Sequence, residues 1–174
     1  QQFYNLFEQE KIEILKDETV MENSFDVVFS KDALIHMPDK KWIFGQIFRV
    51  LKPGGCLIAG DWMTWDRGYR TAEMQDYLNA EGLDFHMSSL GSYNLDLIGS
   101  GFVSICLQDR QEWYLAKATK ELNSLKNDLN NKIVGILGYK EAQRQIEVWE
   151  KMIVVLESGE HRPGHFSAIK PVSA

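Results

Sequence analysis

Three features that often guide a functional assignment are scarce in this chain: cysteine, basic charge and long apolar runs. The 174 residues include only two cysteines, Cys56 and Cys106, and both fall inside apolar runs. They are therefore expected to be small buried hydrophobic residues in a reducing compartment rather than a disulfide or a metal pair. Lysine and arginine number 19 against 25 aspartates and glutamates, and this net charge of −6 disfavours nucleic acid as a partner.

Membrane and metal signals are missing as well. No apolar run reaches the length of a membrane span and no signal peptide is recognisable, so the sequence predicts no membrane interaction and a cytoplasmic location. The four histidines show no spacing typical of a metal site, so no metal ligand is predicted. The length and the 44% hydrophobic content are those of one globular domain, which is assigned to residues 1–174.

The clearest pattern lies in residues 24–61, which alternate between strand, loop, helix, turn and strand. Residues 25–29 are a short apolar run with β-branched side chains, which predicts a buried strand. Apolar residues then recur at helical spacing as far as Leu51, Pro53 prevents the helix from continuing, and residues 56–60 form a second apolar run. A strand–helix–strand unit of this length is a right-handed crossover, so the sheet is predicted to be parallel here.

Ligands in such sheets bind outside the carboxyl ends of the strands. The polar and aromatic residues that follow the two predicted strands are Ser30, Lys31, Asp32, His36, Asp61 and Trp62. Asp32 and His36 are four residues apart, a spacing that puts both side chains on one face of a helical turn. Because a carboxylate orients a neighbouring imidazole and stabilises its protonated form, this pair is a candidate for proton transfer. The alternative, which the spacing alone favours, is a loop histidine that is hydrogen-bonded to the backbone.

The same stretch resembles a known superfamily. The loop Ser-Lys-Asp-Ala-Leu-Ile-His at residues 30–36 and the turn Leu-Lys-Pro-Gly-Gly at residues 51–55 resemble the region between the fourth and fifth strands of class I S-adenosylmethionine-dependent methyltransferases. Within that superfamily, the loop is similar to the S-[RK]-D-x-[IL]-x-H loop of the phosphoethanolamine N-methyltransferase group. The resemblance implies an α/β fold, a Rossmann-like three-layer sandwich with a mostly parallel sheet. It also implies an enzyme that transfers a methyl group from S-adenosylmethionine to a small-molecule acceptor, with an amine as one candidate.

The resemblance assigns roles to residues of the loop. It implies that His36 is a catalytic group beside the acceptor amine and that Asp32 is a catalytic residue that also holds the substrate. Ser30 and Lys31 correspond to contacts with the methionine end of the cofactor. Asp17, after a short run that matches the third strand of the family, corresponds to the acidic residue that binds the adenine amino group.

Two further residues correspond to substrate contacts in the phosphoethanolamine group. Trp62 offers an aromatic face to a cationic amine or sulfonium, and Tyr77 falls where the group has a substrate-binding tyrosine. Glu81 and Leu83 lie near positions at which the group binds phosphate. Because a carboxylate repels phosphate, an acceptor other than phosphoethanolamine is plausible.

The glycine-rich loop that follows the first strand of the family has no counterpart in this chain, since no GxGxG-like segment occurs. The resemblance covers residues 12–170 and only the later part of the family's domain, so the fold is expected to be incomplete at its N-terminal side. Without a first strand, the strand at residues 25–29 has a bare edge, which predicts either a homodimer through that edge or coverage by the N-terminal segment. A non-catalytic, truncated domain that dimerises or binds small molecules is the alternative to an enzyme.

Residues 109–158 are predicted to form a helical insertion before the last strand. Apolar residues from Leu115 to Ile133 fall on one face of a long helix, Gly138 ends it, and a second helix follows to complete a hairpin. The hairpin either caps the substrate pocket or only packs its apolar faces against the domain or a second chain. Four basic residues near the C-terminus could reach an acidic group of a substrate, but they are interpreted as a solvated entrance to the last strand: His161, Arg162, His165 and Lys170.

Overall fold

The computed structural model describes residues 21–172 and shows four strands and six α-helices in this part of the chain. The strands are β1 (Phe25–Lys31), β2 (Leu51–Asp61), β3 (Val103–Asp109) and β4 (Gly164–Ile169). The helices are α1 (Lys40–Val50), α2 (Ala72–Glu81), α3 (Leu90–Gly99), α4 (Gln111–Lys126), α5 (Asn130–Leu137) and α6 (Tyr139–Glu157), with a one-turn 3-10 helix at Leu34–His36. Asp17, predicted to bind adenine, lies outside the described residues.

The four strands form one mixed sheet in the order β1-β2-β4-β3. β1 and β2 pair in parallel, with Lys31 opposite Gly60. β4 runs in the opposite direction, because Lys170, just after its end, makes two backbone hydrogen bonds of 2.9 Å with Gly54 and Gly55 near the start of β2. A bond from the residue after β3 to the carbonyl before β4 shows that these strands are antiparallel too. Three strands therefore share one direction, and β4 alone opposes them.

Helix α1 connects β1 to β2 and confirms the predicted strand–helix–strand unit. The Asp39 side chain caps its first turn by accepting a 2.8 Å hydrogen bond from the N–H of Trp42. Ile43, Phe44 and Ile47 form its buried face, and each is at most 4% exposed. Because β1 and β2 are parallel, their carboxyl ends meet at one edge of the sheet, where the predicted site residues follow.

Lys170 joins the end of β4 to the end of α1. Its Nζ donates to the carbonyls of Phe48 and Leu51 at 2.8 and 2.7 Å and to the Asn23 side chain at 2.9 Å. A cation at the carboxyl end of a helix is favourable because the last carbonyls lack intrahelical partners. Lys170 is thus a buried structural residue and not part of a solvated strand entrance.

Glycine at position 55, near the start of β2, is required for steric reasons. A Cβ there would lie 2.9 Å from the Lys52 carbonyl oxygen and 3.0 Å from the Asp26 carbonyl oxygen. Since backbone atoms cannot swing away, we expect Gly55→Ala to lower the free energy of unfolding by about 1–3 kcal/mol in urea denaturation. Gly45 in α1 is the matched control: a Cβ there meets nothing within 4 Å, so Gly45→Ala should stabilise by about 0.5–1 kcal/mol. Equal effects of the two substitutions would contradict this explanation.

β1 is more exposed than its apolar sequence predicts. Phe25, Val27 and Phe29 are 46%, 52% and 70% exposed. They alternate along the strand and so share one face, which continues with Ile58, the register partner of Phe29 on β2. Within residues 21–172, β1 pairs only with β2, so the prediction of a buried strand is wrong for an edge strand with one open face.

The chain divides into two compact units. The first contains the sheet and consists of the described residues up to 61 together with 91–108 and 165–172. The second consists of residues 62–90 and 109–164 and contains α2, α4, α5 and α6. Its buried core is formed by Met74, Tyr77, Leu78, Ala118, Val148, Met152, Val155 and Leu156.

The helical insertion contains three helices, so the predicted long helix is wrong. α4 ends at Lys126 and α5 begins at Asn130. Asn127, between them, leaves helical geometry with φ −118° and ψ −93°, and asparagine tolerates such turn conformations well. The apolar spacing continues across the break through Leu129 and Ile133, so hydrophobic periodicity alone does not reveal it.

The two cysteines are free thiols, but they are not both buried. Cys56 is half-buried, and Cys106 is exposed. Cys106 lies on β3, where Val103 is also 44% exposed, so the prediction of burial is wrong there because this strand leaves much of its surface open. Within residues 21–172, no helix combines the length and the apolar character needed to cross a bilayer.

Candidate active site

The carboxyl end of β1 carries Ser30 and Lys31, the predicted cofactor residues. The next residue, Asp32, donates its backbone N–H to the Gly60 carbonyl at 2.9 Å, so the ladder with β2 continues one residue beyond β1. Asp32 has a φ of 53°, a left-handed conformation that aspartate tolerates better than most residues. This conformation ends the strand and starts the loop at the edge of the sheet.

Lys31 and Asp32 form an ion pair at the surface. Lys31 Nζ lies 2.5 Å from Asp32 Oδ2, and the two side chains are 71% and 37% exposed. An exposed pair of this kind contributes only about 0–1 kcal/mol to stability. A cationic ligand can therefore replace the Lys31 ammonium on the Asp32 carboxylate at little cost.

His36 is the last residue of the 3-10 helix Leu34–His36 and is half-buried. Leu34 and Ile35 anchor this turn, since they are 4% and 1% exposed. The prediction that Asp32 and His36 share one helical turn is wrong, because Asp32 is left-handed and the short helix begins two residues later. Both residues nevertheless belong to the same short loop at the carboxyl end of β1.

Asp61, the last residue of β2, is buried at 3% exposure. Its Oδ1 accepts a 3.2 Å hydrogen bond from the Ile35 N–H, and its Oδ2 accepts a 2.5 Å bond from the Tyr93 hydroxyl. Burial and the neighbouring Asp61 carboxylate raise the pKa of Tyr93 far above its usual range, so the hydroxyl stays a donor. Sequence reasoning missed Tyr93, because an aromatic residue in an apolar helix gives no signal of a distant carboxylate partner.

The second compact unit contains an aromatic cluster formed by Trp62, Tyr77, Tyr114 and His161. The Trp62 and His161 rings stack with centroids 4.9 Å apart and planes inclined by 16°. The Trp62 ring meets Tyr114 edge-on at 4.7 Å, and Tyr77 lies 5.6 Å from His161. The predicted substrate residues Trp62 and Tyr77 thus both contact one histidine, whose ring stacks on a face of Trp62.

The Tyr77 hydroxyl already has a partner within this unit. It donates a 3.1 Å hydrogen bond to Glu81 Oε1, one turn later on α2. Burial, followed by the Glu81 charge, raises the pKa of Tyr77 well above its usual value. Tyr77 therefore directs its hydroxyl to a carboxylate, an arrangement that does not favour phosphate at this position.

His161 is buried at 1% exposure, so its interpretation as part of a solvated entrance is wrong. Its Nδ1 lies 3.2 Å from the Met63 carbonyl oxygen, an atom that can only accept, so Nδ1 carries the proton in the neutral ring. Burial lowers the pKa of His161 to about 4. The sequence did not indicate this because the surrounding residues, Glu160, Arg162 and His165, are polar or charged.

The predicted site residues fall into two groups. The sheet unit brings Ser30, Lys31, Asp32, His36 and Asp61 to the carboxyl ends of β1 and β2. The second unit brings Trp62 and Tyr77 together around His161. The roles of these residues stay predictions, and the contacts above limit what each side chain can do.

A family model described as a methyltransferase domain matches residues 2–113, more than half of the chain. The chain therefore belongs to the methyltransferase domain family. The family predicted from the loop at residues 30–36 is confirmed.

Curated relatives include two kinds of N-methyltransferase. Phosphoethanolamine N-methyltransferase 1 of Arabidopsis thaliana is 28% identical over 151 residues, which cover 86% of this chain and 30% of the relative. The glycine/sarcosine/dimethylglycine N-methyltransferase of Actinopolyspora halophila is 29% identical over 126 residues, or 71% of this chain and 21% of the relative. The chain thus spans less than a third of the length of these relatives.

Solved structures share the fold. Phosphoethanolamine N-methyltransferase 2 of Haemonchus contortus, in complex with phosphomonomethylethanolamine and S-adenosylhomocysteine, superposes with a TM-score of 0.79 at 21% identity, over 87% of this chain and 35% of that one. A putative sarcosine dimethylglycine methyltransferase from Galdieria sulphuraria gives 0.76 at 25% identity, over 92% and 58%. The predicted α/β Rossmann-like class is confirmed, as are an enzyme family and S-adenosylmethionine as its cofactor.

The described residues include candidate contacts for one end of this cofactor only. Ser30 and Lys31 terminate β1 at the sheet edge, and their contact with the methionine portion stays a prediction. Of the acidic groups at this edge, Asp61 is bonded to Ile35 and Tyr93, and Asp32 is paired with Lys31. No residue between 21 and 172 is therefore assigned to the ribose.

Proposed function

We propose that this chain acts in S-adenosylmethionine-dependent methyl transfer to a small amine, with His36 as the proton acceptor. The observation that carries the proposal is the position of the loop at residues 30–36. It follows the carboxyl end of β1, beside the end of β2, and holds a half-buried histidine and an exposed carboxylate. The relation to curated N-methyltransferases supports nitrogen as the acceptor atom.

The loop supplies two functions that amine methylation needs. An amine is largely protonated at neutral pH, and only its neutral form has a lone pair for attack. Asp32 binds the ammonium form of the acceptor, which replaces the Lys31 ammonium in the exposed ion pair. His36 then takes the proton from the acceptor nitrogen. When bound, S-adenosylmethionine supplies an electrophilic methyl group on a sulfonium.

We propose that the acceptor lacks a phosphate group. Glu81 lies near a position at which the phosphoethanolamine N-methyltransferase group binds phosphate, and a carboxylate repels phosphate. Tyr77, whose hydroxyl is bonded to Glu81, is 3% exposed and belongs to the core of its unit, so its ring is not assigned to the acceptor. A simple amine or an amino acid is the proposed acceptor class.

A methyl-transfer assay with labelled S-adenosylmethionine tests the proposal. Glycine, sarcosine, ethanolamine and phosphoethanolamine form the acceptor panel, and we expect an unphosphorylated amine to react faster than phosphoethanolamine. Glu81→Gln should raise the relative rate with phosphoethanolamine, because it removes the repelling charge. Asp84→Asn is the matched control, since the Asp84 side chain is 90% exposed. Failure of every amine to accept label would contradict the proposal.

We also propose that the free edge of β1 pairs with a second copy of this chain. Within residues 21–172, β1 pairs only with β2, and an unpaired strand edge favours pairing with another chain. Light scattering after size exclusion should give twice the 20.1 kDa mass of one chain. Val27→Lys should yield monomers, whereas Ile136→Lys, at a 71% exposed position on α5, should not. A monomeric wild-type protein would refute this assembly.

The same free edge of β1 supports the alternative function, a non-catalytic domain that dimerises or binds small molecules. Such a domain would dimerise and yet transfer no methyl group to any amine, so the two experiments together separate the alternatives. A cytoplasmic location is proposed as well, because two free thiols, one of them exposed, suit a reducing compartment.

A further inference from the structure

The 3-10 helix Leu34–His36 is too short to hold its own position. It contains two backbone hydrogen bonds, from His36 N–H to Ala33 at 3.3 Å and from Met37 N–H to Leu34 at 2.9 Å. No side chain caps its first residue. A single 3-10 turn has poor hydrogen-bond geometry and little intrinsic stability. The orientation of His36 is therefore set by what the turn contacts.

Asp61 binds one side of this turn. Its Oδ1 accepts from the Ile35 N–H, and its Oδ2 is occupied by the Tyr93 hydroxyl. Tyr93 is 0% exposed and meets Phe44 and Phe166 edge-on at centroid distances of 5.6 and 5.4 Å. The carboxylate is thus fixed by a tyrosine that cannot move without disturbing the core of the sheet unit.

Lys40 binds the other end of the turn. Its side chain is 4% exposed, and its Nζ donates a 2.5 Å hydrogen bond to the Met37 carbonyl. Burial lowers the pKa of Lys40 to about 8, and the Asp61 charge opposes that effect, so the two buried charges interact favourably. His36 consequently lies between two backbone groups, Ile35 N–H and Met37 C=O, that are held by side chains of opposite charge.

We propose that Asp61 and Tyr93, together with Lys40, are positioning residues that orient His36 through the backbone of the turn. This inference rests on the proposed role of His36 for its functional meaning. Proton transfer requires the His36 imidazole to lie within hydrogen-bond reach of the acceptor nitrogen. A displacement of the imidazole by about 1 Å is therefore enough to lower the rate of methyl transfer severely. Tyr93 has no contact with the acceptor in this scheme and acts only through Asp61.

Tyr93→Phe tests the proposal, because it deletes one hydroxyl and keeps the ring contacts with Phe44 and Phe166. Hydrogen exchange followed by NMR should show the Ile35 amide exchanging about ten-fold faster, while the Leu57 amide within β2 is unchanged. In the turnover assay, kcat should fall about ten-fold with KM within two-fold of wild type. Tyr69→Phe, at a 57% exposed position, is the control and should change neither quantity.

The outcomes separate positioning from general stability. Equal acceleration at Ile35 and Leu57, or no change at Ile35, would overturn the proposal. If Tyr93→Phe does not fold, Lys40→Met tests the other end of the turn. Faster hydrogen exchange at the Met37 amide alone would support the positioning proposal, and unchanged exchange there would overturn it. An active His36→Ala variant would refute the role of His36 as the proton acceptor but would not affect the hydrogen-exchange result. Failure of the proposed function and failure of the positioning proposal can therefore be distinguished.

Discussion

His36→Ala should lower the rate of methyl transfer by at least about 100-fold while the chain stays folded. General base catalysis by a positioned side chain contributes roughly this much or more. His36 is half-buried and ends a turn that Leu34, Ile35 and the Asp61 carboxylate already anchor. Removing the imidazole therefore deletes the proton acceptor, while the turn at Leu34–His36 keeps its conformation.

The measurement is kcat with the best amine of the acceptor panel, together with the melting temperature. His165→Ala is the matched control, because His165 is an exposed histidine on β4. We expect its turnover to equal that of the wild type. A His36→Ala variant that keeps its turnover would show that another group takes the proton.

A second large effect is expected from pH. His161 is buried and neutral, and its pKa falls from 6.5 to about 4 on folding. The unfolded chain then binds a proton that the folded chain excludes, so stability is fully present above pH 6.5 and is lost as pH falls toward 4. This difference in pKa corresponds to about 3 kcal/mol of unfolding free energy.

Urea denaturation at several pH values between 4 and 7 measures this loss. His161→Asn should flatten the dependence on pH by about 3 kcal/mol over this range, since the asparagine amide can still donate toward the Met63 carbonyl but does not titrate. His165→Asn, at an exposed histidine on β4, is the control and should leave the slope as it is in the wild type. An unchanged slope in His161→Asn would contradict a buried, neutral His161.

The local patterns of the chain predicted one region well. Residues 24–61 contain strand, helix and strand in the expected order, because the helical spacing of Ile43 and Ile47 is a short-range signal. The separate turn predicted at residues 51–55 is wrong, because β2 already begins at Leu51. The break at Asn127 escaped prediction, because the apolar spacing runs through it. Short-range patterns thus predict that a helix or strand exists more reliably than they predict where it ends.

The site was predicted only in part, because its contacts join residues far apart in sequence. The hydrogen bond between Asp61 and Tyr93 joins residues 32 positions apart, and no local sequence pattern at either residue predicts this contact. His161 looked solvated since its neighbours are polar, yet it stacks on Trp62, which precedes it by almost 100 positions. The loop at residues 30–36 was found because its residue types are unusual together, independently of the fold.

Calorimetric titration of this chain with S-adenosylhomocysteine tests the central claim most directly, namely that the loop after β1 is part of a cofactor site. Ser30 and Lys31 are predicted to meet the methionine end of the cofactor, so we expect saturable binding with one site per chain. We also predict weaker binding of methylthioadenosine, which lacks that end. Absence of binding by S-adenosylhomocysteine, or equal binding of the two compounds, would contradict the assignment of Ser30 and Lys31 to the cofactor.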